Sequence, residues 1–420
     1  MHKLWSLLFL LSITAVSSYA QGSEKKVRLV SLKASGSERY SEAEIVRATG
    51  LEVNDDVTQH DLEEAANRLG ATGVFVGVHF QFLPVSTGIS ATYQVTDNAG
   101  TAPVIFENFV WFAPDQLEKE LHERVPLFQG RLPNAGTLLE DTRLALQALV
   151  NSKNIRGTVK TAVNGQLGQF TSVSFSVEDT ENRIAAIKFQ GAKQLDSSLL
   201  EDASHALLHT GYSQSAVRTA CNTDVKNLYL ARGFLKAHFG DPVYRLTKEA
   251  DADSPVEVTV AVEEGPQYHL AAVTWSGNTV YSSQQLQRLI SLQTGELANA
   301  IRLEKDLAPL RKLYGPHGYL GVTHKLQAHP LDNGTANFEV ELHEGVAYQM
   351  GKLTIRGGDP DSRTKIQELW KLAPGATYDA DYPIKFIVQM QSLRVAPNLV
   401  SKEDIDDQSK IVDVTLDIRP

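Results

Sequence analysis

The chain has 420 residues, 42% of them hydrophobic and 21% charged, an ordinary globular balance that excludes an intrinsically disordered protein. Its net charge of -10 argues against the basic face of a nucleic-acid binder and the polybasic patch of a membrane-surface protein. That length has room for roughly two to four average domains, or for more small ones.

In chain order, residues 1–20 read as a secretory signal peptide. His2 and Lys3 start it, Leu4 to Val16 is apolar apart from Ser6, Ser12 and Thr14, and Ser18-Tyr19-Ala20 offers a cleavage site. No cysteine follows the apolar stretch, which argues against a lipoprotein anchor. No later stretch approaches the ~18 uninterrupted apolar residues of a spanning helix, so the mature chain is expected to be soluble.

From Val27 to Asp97 the pattern gives a strand at Val27, Leu29 and Val30, helices near Glu42–Thr49 and Gln59–Leu69, and a hairpin from Val74 to Val95. From Thr101 to Asp179 it gives a strand over Val104–Phe112, helices near Asp115–Glu123 and Gly136–Val150, and a hairpin from Gly157 to Val177. In that strand Phe106, Val110 and Phe112 would share one face, with Phe109 and Trp111 on the other, a candidate partner patch or core.

The next stretch is clearer. Arg183 to Phe189 alternates and stops at Gly191, and Leu199, Leu200, Ala203, Ala206 and Leu207 follow at helical spacing. Val217, Cys221, Val225, Leu228 and Leu230 mark a second helix that closes at Gly233. Leu235, Ala237 and Phe239 alternate, and Val256, Val258, Val260 and Val262 keep a strict period of two. Cys221, the only cysteine, reads as a buried apolar residue.

The sequence then repeats itself. Leu270 to Trp275 is a strand, Leu286, Leu289 and Ile290 mark one helix, and Ile301 to Leu313 marks a second in which Pro309 should make a kink. Tyr319–Ala328 and Ala336–Leu342 form a hairpin around Asp332-Asn333-Gly334. A last stretch from Tyr348 ends in the alternating Val412, Val414, Leu416 and Ile418.

One phrase marks the period. Glu264-Gly265-Pro266, Tyr268 and Gly277-Asn278 return as Glu344-Gly345, Tyr348 and Gly357-Gly358, about 80 residues on, and the closing strands fall at steps of roughly 75 to 85 residues. The expected fold is therefore α+β: a tandem array of five strand-helix-helix-strand-strand units, each a three-stranded mixed sheet under two helices. The unit boundaries are 24–99, 100–181, 182–266, 267–346 and 347–420. Units of ~75 residues bury little apolar surface alone, so packing against neighbours should matter.

This element order and this junction resemble the POTRA (polypeptide-transport-associated) domain. Tyr229-Leu230-Ala231-Arg232-Gly233-Phe234 and Tyr314-Gly315-Pro316-His317-Gly318-Tyr319 are similar to that family's signature, in which a tyrosine precedes a Gly-aromatic pair. Five units behind a signal peptide resemble the periplasmic arm of the outer-membrane β-barrel assembly family (BamA and its relatives). The expected chain has no barrel of its own, and Arg394-Val395-Ala396-Pro397-Asn398 stands where the last unit's Gly-aromatic pair would be.

The resemblance implies a scaffold or chaperone-like receptor in outer-membrane protein assembly or secretion. Its partners would be outer-membrane β-barrel proteins or assembly components, with peripheral association with the outer membrane. No nucleic acid, small-molecule substrate, cofactor, metal or catalytic residue is expected. The middle strand of each unit should lie at a sheet edge, where a partner chain can add as a further strand. The edges considered are Leu235–Val243 and Gly318–Ala328, with Leu235, Ala237, Phe239, Leu320, Val322 and His324 as candidate contact residues and Pro242 and Pro330 limiting the ends. Gly318, Tyr319 and Gly357 join the structural junction set.

Two alternatives are a purely structural envelope spacer and a metal-dependent envelope hydrolase. The second would rest on Glu201, His205 and His209, spaced by four so as to line one helix face, but no His-Glu-x-x-His pattern accompanies them. Glu403, Asp404, Asp406 and Asp407 lack calcium-loop spacing and read as a solvated hairpin tip.

Overall fold

The structure is a computed structural model that describes residues 25–166, 169–180, 182–248 and 253–419. The expected signal peptide lies outside the described residues. Two compact units form, one mainly of residues up to 183, the other mainly of residues 184–210, 216–245 and 257–420.

The first unit holds two sheets. In the first sheet the opening strand Val27–Ser35 runs parallel to the closing strand Gly88–Asp97, and the middle strand Phe75–Val85 lies antiparallel on the far side of the closing strand. Helices Glu42–Thr49 and Gln59–Ala71 lie between them in sequence. The second sheet repeats this order with Thr101–Phe106, Thr158–Gln166 and Gln169–Glu178, and with helices Pro114–Arg124 and Leu138–Ser152.

These sheets carry a fourth strand that the period-two pattern did not reveal. Asp56–Val57 and Arg131–Pro133 each pair antiparallel with the start of the opening strand, so they satisfy its outer backbone groups there. Two or three residues are too few to show a periodicity. The strand expected over Val104–Phe112 also ends early, at Phe106. Phe109 and Phe112, expected on opposite faces, are both fully buried because the chain turns there and both rings enter the core. The buried residues of the two sheets form one continuous cluster from Leu29 to Val177. Merging solves the small-core problem for these two sheets.

The second unit carries the other three sheets. In the fourth, His269–Ser276 is parallel to Thr335–His343, with Thr323–Pro330 antiparallel at the edge. In the fifth, Gln349–Gly357 is parallel to Ile411–Ile418, with Leu399–Asp406 at the edge. Both are three-stranded, as expected. In each closing strand alternate residues are buried, including Phe338, Val340, Val414 and Leu416.

The third sheet departs from this. Its closing strand Val256–Glu263 pairs with the opening strand Ile184–Gln190, but the middle strand is split into His238–Phe239 and Val243–Leu246. The break falls at Gly240-Asp241-Pro242, where proline cannot donate to the ladder. In the fourth sheet's cover the second helix stops at Leu307 and restarts at Leu310, an interruption where a kink at Pro309 was expected. Cys221 lies in a π-helical turn, 3% exposed, and burial pushes its thiol up to about 11. Among the described residues no helix is long and apolar enough to cross a membrane.

Candidate functional site

The repeated phrase folds into a joint between successive sheets of the second unit. The second helix over the third sheet ends on Gly233 and that over the fourth on Gly318, each with φ near +80°. In this left-handed cap the N–H groups of Phe234 and Tyr319 donate to the Tyr229 and Tyr314 carbonyls, and those of Gly233 and Gly318 donate to Leu230 and Gly315. The cap turns the glycine carbonyl outward. The Gly233 carbonyl then accepts the Tyr268 N–H, and the Gly318 carbonyl the Tyr348 N–H, both at 2.9 Å. The same tyrosines accept in turn, from the Ala298 and Tyr378 N–H groups at 2.9 Å. A Cβ on Gly233 would lie 2.5 Å from the Tyr268 oxygen, and one on Gly318 2.8 Å from the Tyr348 oxygen, so no other residue fits without displacing the joint.

Side chains seal it. Tyr268 and Tyr348 are buried, with Lys236 over the first ring and Lys410 over the second at 4.9 Å. Leu235 packs into the core of the fourth sheet and Leu320 into that of the fifth.

The acidic residue of the phrase works inside its own sheet. Glu344 is 7% exposed; Oε1 accepts from the Thr279 and Val280 N–H groups and, at 2.8 Å, from the Tyr314 hydroxyl, and Oε2 accepts from the Thr279 hydroxyl. Glu264 repeats this with Lys193, Gln194 and the Tyr229 hydroxyl at 3.0 Å. Asp97 does the same for the first sheet, accepting from Ser37, Glu38 and Arg39. Burial opposes the Glu344 charge, but the donors from Thr279, Val280 and Tyr314 outweigh it and hold the carboxyl below its ordinary value. Burial and the neighbouring carboxylate push both tyrosine hydroxyls up.

The remaining junction residues sit around these two features. Gly265 and Gly345 take φ of +67° and +73° directly after the acid, with Pro266 following in the loop. Gly277 and Gly357 turn the chain beside the Leu342 and Ile418 carbonyls, and Asn278 Nδ2 donates to the Tyr281 carbonyl. The fifth sheet lacks the glycine yet keeps the cap. Arg394 takes φ +56°, its N–H donates to Gln391, and the Val395 N–H donates to Met390.

The candidate contact residues scatter. Leu235 and Leu320 lie in turns and belong to the joint, because the chain has not yet entered the strand when it leaves the glycine cap. Ala237 and Val322 are 3% and 2% exposed and immediately precede their strands. Phe239 packs against the third core. His324 stands in the edge strand with Nε2 2.9 Å from Glu304 Oε2. Val322, Thr323 and His324 face Leu307, Leu310 and Arg311 across a shallow groove between edge strand and second helix.

The three residues of the hydrolase alternative do not share a helix face. Their helix ends at Ser204, a 3-10 turn covers His205–Leu207, and His209 takes φ +63°. Sequence reasoning missed the Glu–Tyr pairs and the role of Leu235 and Leu320. A tyrosine four residues before each cap glycine was visible, but its partner lies 30 or more residues away.

Parallel opening and closing strands, an antiparallel edge strand and the glycine-tyrosine joint recur along the second unit. Residues 268–345 match the POTRA family model, described as a surface antigen variable number repeat. The chain resembles the periplasmic arm of outer-membrane assembly factors. It is 24% identical over 265 residues to a Treponema pallidum protein provisionally named an outer membrane protein assembly factor, covering 62% of this chain and 31% of that one. It is 23% identical over 257 residues to outer membrane protein assembly factor BamA of Neisseria meningitidis, covering 56% and 32%. The chain thus spans about a third of the length of the curated relatives it matches. Among solved structures, the POTRA3-5 segment of Haemophilus influenzae BamA aligns at 18% identity over 57% of this chain and 96% of that one, with a TM-score of 0.39.

Proposed function

We propose that this chain is a periplasmic scaffold or chaperone-like receptor in outer-membrane protein assembly or secretion. In this reading it is an array of POTRA-like domains at 24–99, 100–181, 182–266, 267–346 and 347–420, exported by a signal peptide over residues 1–20. The observation that carries the reading is the joint at Gly233–Tyr268 and Gly318–Tyr348, which recurs at the spacing of the domain matched at 268–345. The similarity to two assembly factors supports the pathway.

The work is binding and not catalysis. Each sheet ends on a middle strand paired on one side, and a partner polypeptide can add there through its main chain with little demand on its sequence. The partners are outer-membrane β-barrel proteins or components of their assembly or secretion machinery, with peripheral association with the outer membrane. A pull-down from envelope extracts, read by mass spectrometry, should recover such proteins. Recovery of none of them would remove the basis for the proposal.

A further inference from the structure

We infer that the free edge of the first sheet, Phe75–Val85, is where a client polypeptide adds, and that it takes an extended, uncharged segment of alternately apolar residues. This rests on the strand-addition reading above and moves it away from the third and fourth sheets. Edge strands are normally blunted by charge, proline or shortness, because an open ladder recruits other chains. Among the described residues, four of the five edges are blunted. The second carries Lys160, the third is broken before Pro242 and carries Arg245, the fourth carries Lys325, and the fifth carries Lys402, Glu403, Asp404 and Asp406.

The first edge, Phe-Val-Gly-Val-His-Phe-Gln-Phe-Leu-Pro-Val, runs for 11 residues with no Asp, Glu, Lys or Arg; its proline, Pro84, is next to last and its bulge falls at the start, between Phe75 and Gly77, so 77–83 is uninterrupted. It is the last strand of its sheet, and among the described residues its hydrogen bonds are those of the ladder to Gly88–Asp97. Its apolar side chains stand in solvent: Val76 is 69% exposed, Leu83 64%, Val85 44% and Phe82 37%. Phe80 lies on the core side, stacked on Tyr93, and Phe82 on the same side lines a groove with Leu62 and Ile89; Leu83 and Val85 are on the other side. An added strand would set one row of its side chains beside the apolar Val78, Phe80 and Phe82 and the other beside the mixed row His79, Gln81, Leu83 and Val85. A charge set beside Phe80 and Leu83 would lose water, although Lys25 also lines the groove at Phe82. The segment that suits this edge therefore has the make-up of a membrane β-strand, about ten residues with an apolar lipid-facing row.

The test uses the whole chain and a fluorescein-labelled peptide of about ten residues in which valine and threonine alternate. The peptide should bind saturably and slow hydrogen exchange at those amides of 76–83 and 85 that do not already donate to the ladder with Gly88–Asp97. Val76→Lys with Leu83→Lys should lower its affinity by about tenfold while the circular dichroism spectrum stays unchanged, because both positions are exposed. Unchanged affinity in the double variant overturns the inference. Protection at 238–246 or 323–330 instead overturns it too, but leaves strand addition standing. No saturable binding at any edge overturns both. Self-association lost in Leu83→Lys, with no uptake of peptide, assigns the edge to a second copy of the chain and overturns the client role.

Discussion

At the scale of single residues, the joint turns on backbone conformation. Gly318 is left-handed and faces the Tyr348 oxygen, so Gly318→Ala should lower stability by about 1–2 kcal/mol or more, seen as an earlier urea midpoint. Arg394 holds the same conformation with a side chain, and Arg394→Gly should raise stability by up to about 1 kcal/mol in the same measurement. Opposite signs at matching positions separate joint geometry from general sensitivity. The buried Glu344 makes a pH prediction. Its carboxyl is held below the ordinary value of 4.5, so its contribution is fully present above that value and is lost as pH falls through the depressed one. Glu344→Gln should cost about 1–3 kcal/mol at neutral pH, because it weakens charge-assisted bonds from four donors. It should also flatten the loss of stability as pH falls below the ordinary value of 4.5.

At the scale of elements, helix starts are set locally. Ser41 accepts the Glu44 N–H while the Glu44 carboxylate accepts the Ser41 N–H, and Ser282 and Gln285 repeat the arrangement. Ser282→Ala should cost about 1 kcal/mol, read from the urea midpoint by far-ultraviolet circular dichroism. Boundaries governed by such caps were readable from sequence; the helix over Glu42–Thr49 starts and ends where the pattern put it. The strands were less so. Val104–Phe112 looked like one strand because aromatic residues satisfy a period of two wherever they fall, but the rings at Phe109 and Phe112 are drawn into the core from a turn. Leu235 and Leu320 alternate convincingly with their neighbours, yet their half-buried apolar side chains pack against the sheet that follows in sequence.

At the scale of the whole molecule, the first two sheets share one continuous core, whereas the last three keep separate clusters linked by hydrogen-bonded joints. Small sheets need one or the other, since each alone buries too little. If the chain is exported as proposed, intact mass measurement of periplasmic protein should show a mature N-terminus after Ala20. A mass retaining residues 1–20 would contradict cleavage there.

The amino-acid sequence by itself determined the repeat, the order of elements and the junction phrase, because each depends on spacing along the chain: apolar periodicity, cap residues and left-handed glycines. Tertiary structure alone decided which carbonyl meets which N–H across a joint and that Glu264 and Glu344 close on distant tyrosines. Those outcomes depend on groups brought together from 30 to more than 60 residues apart, and a local pattern names an apolar face without naming what covers it.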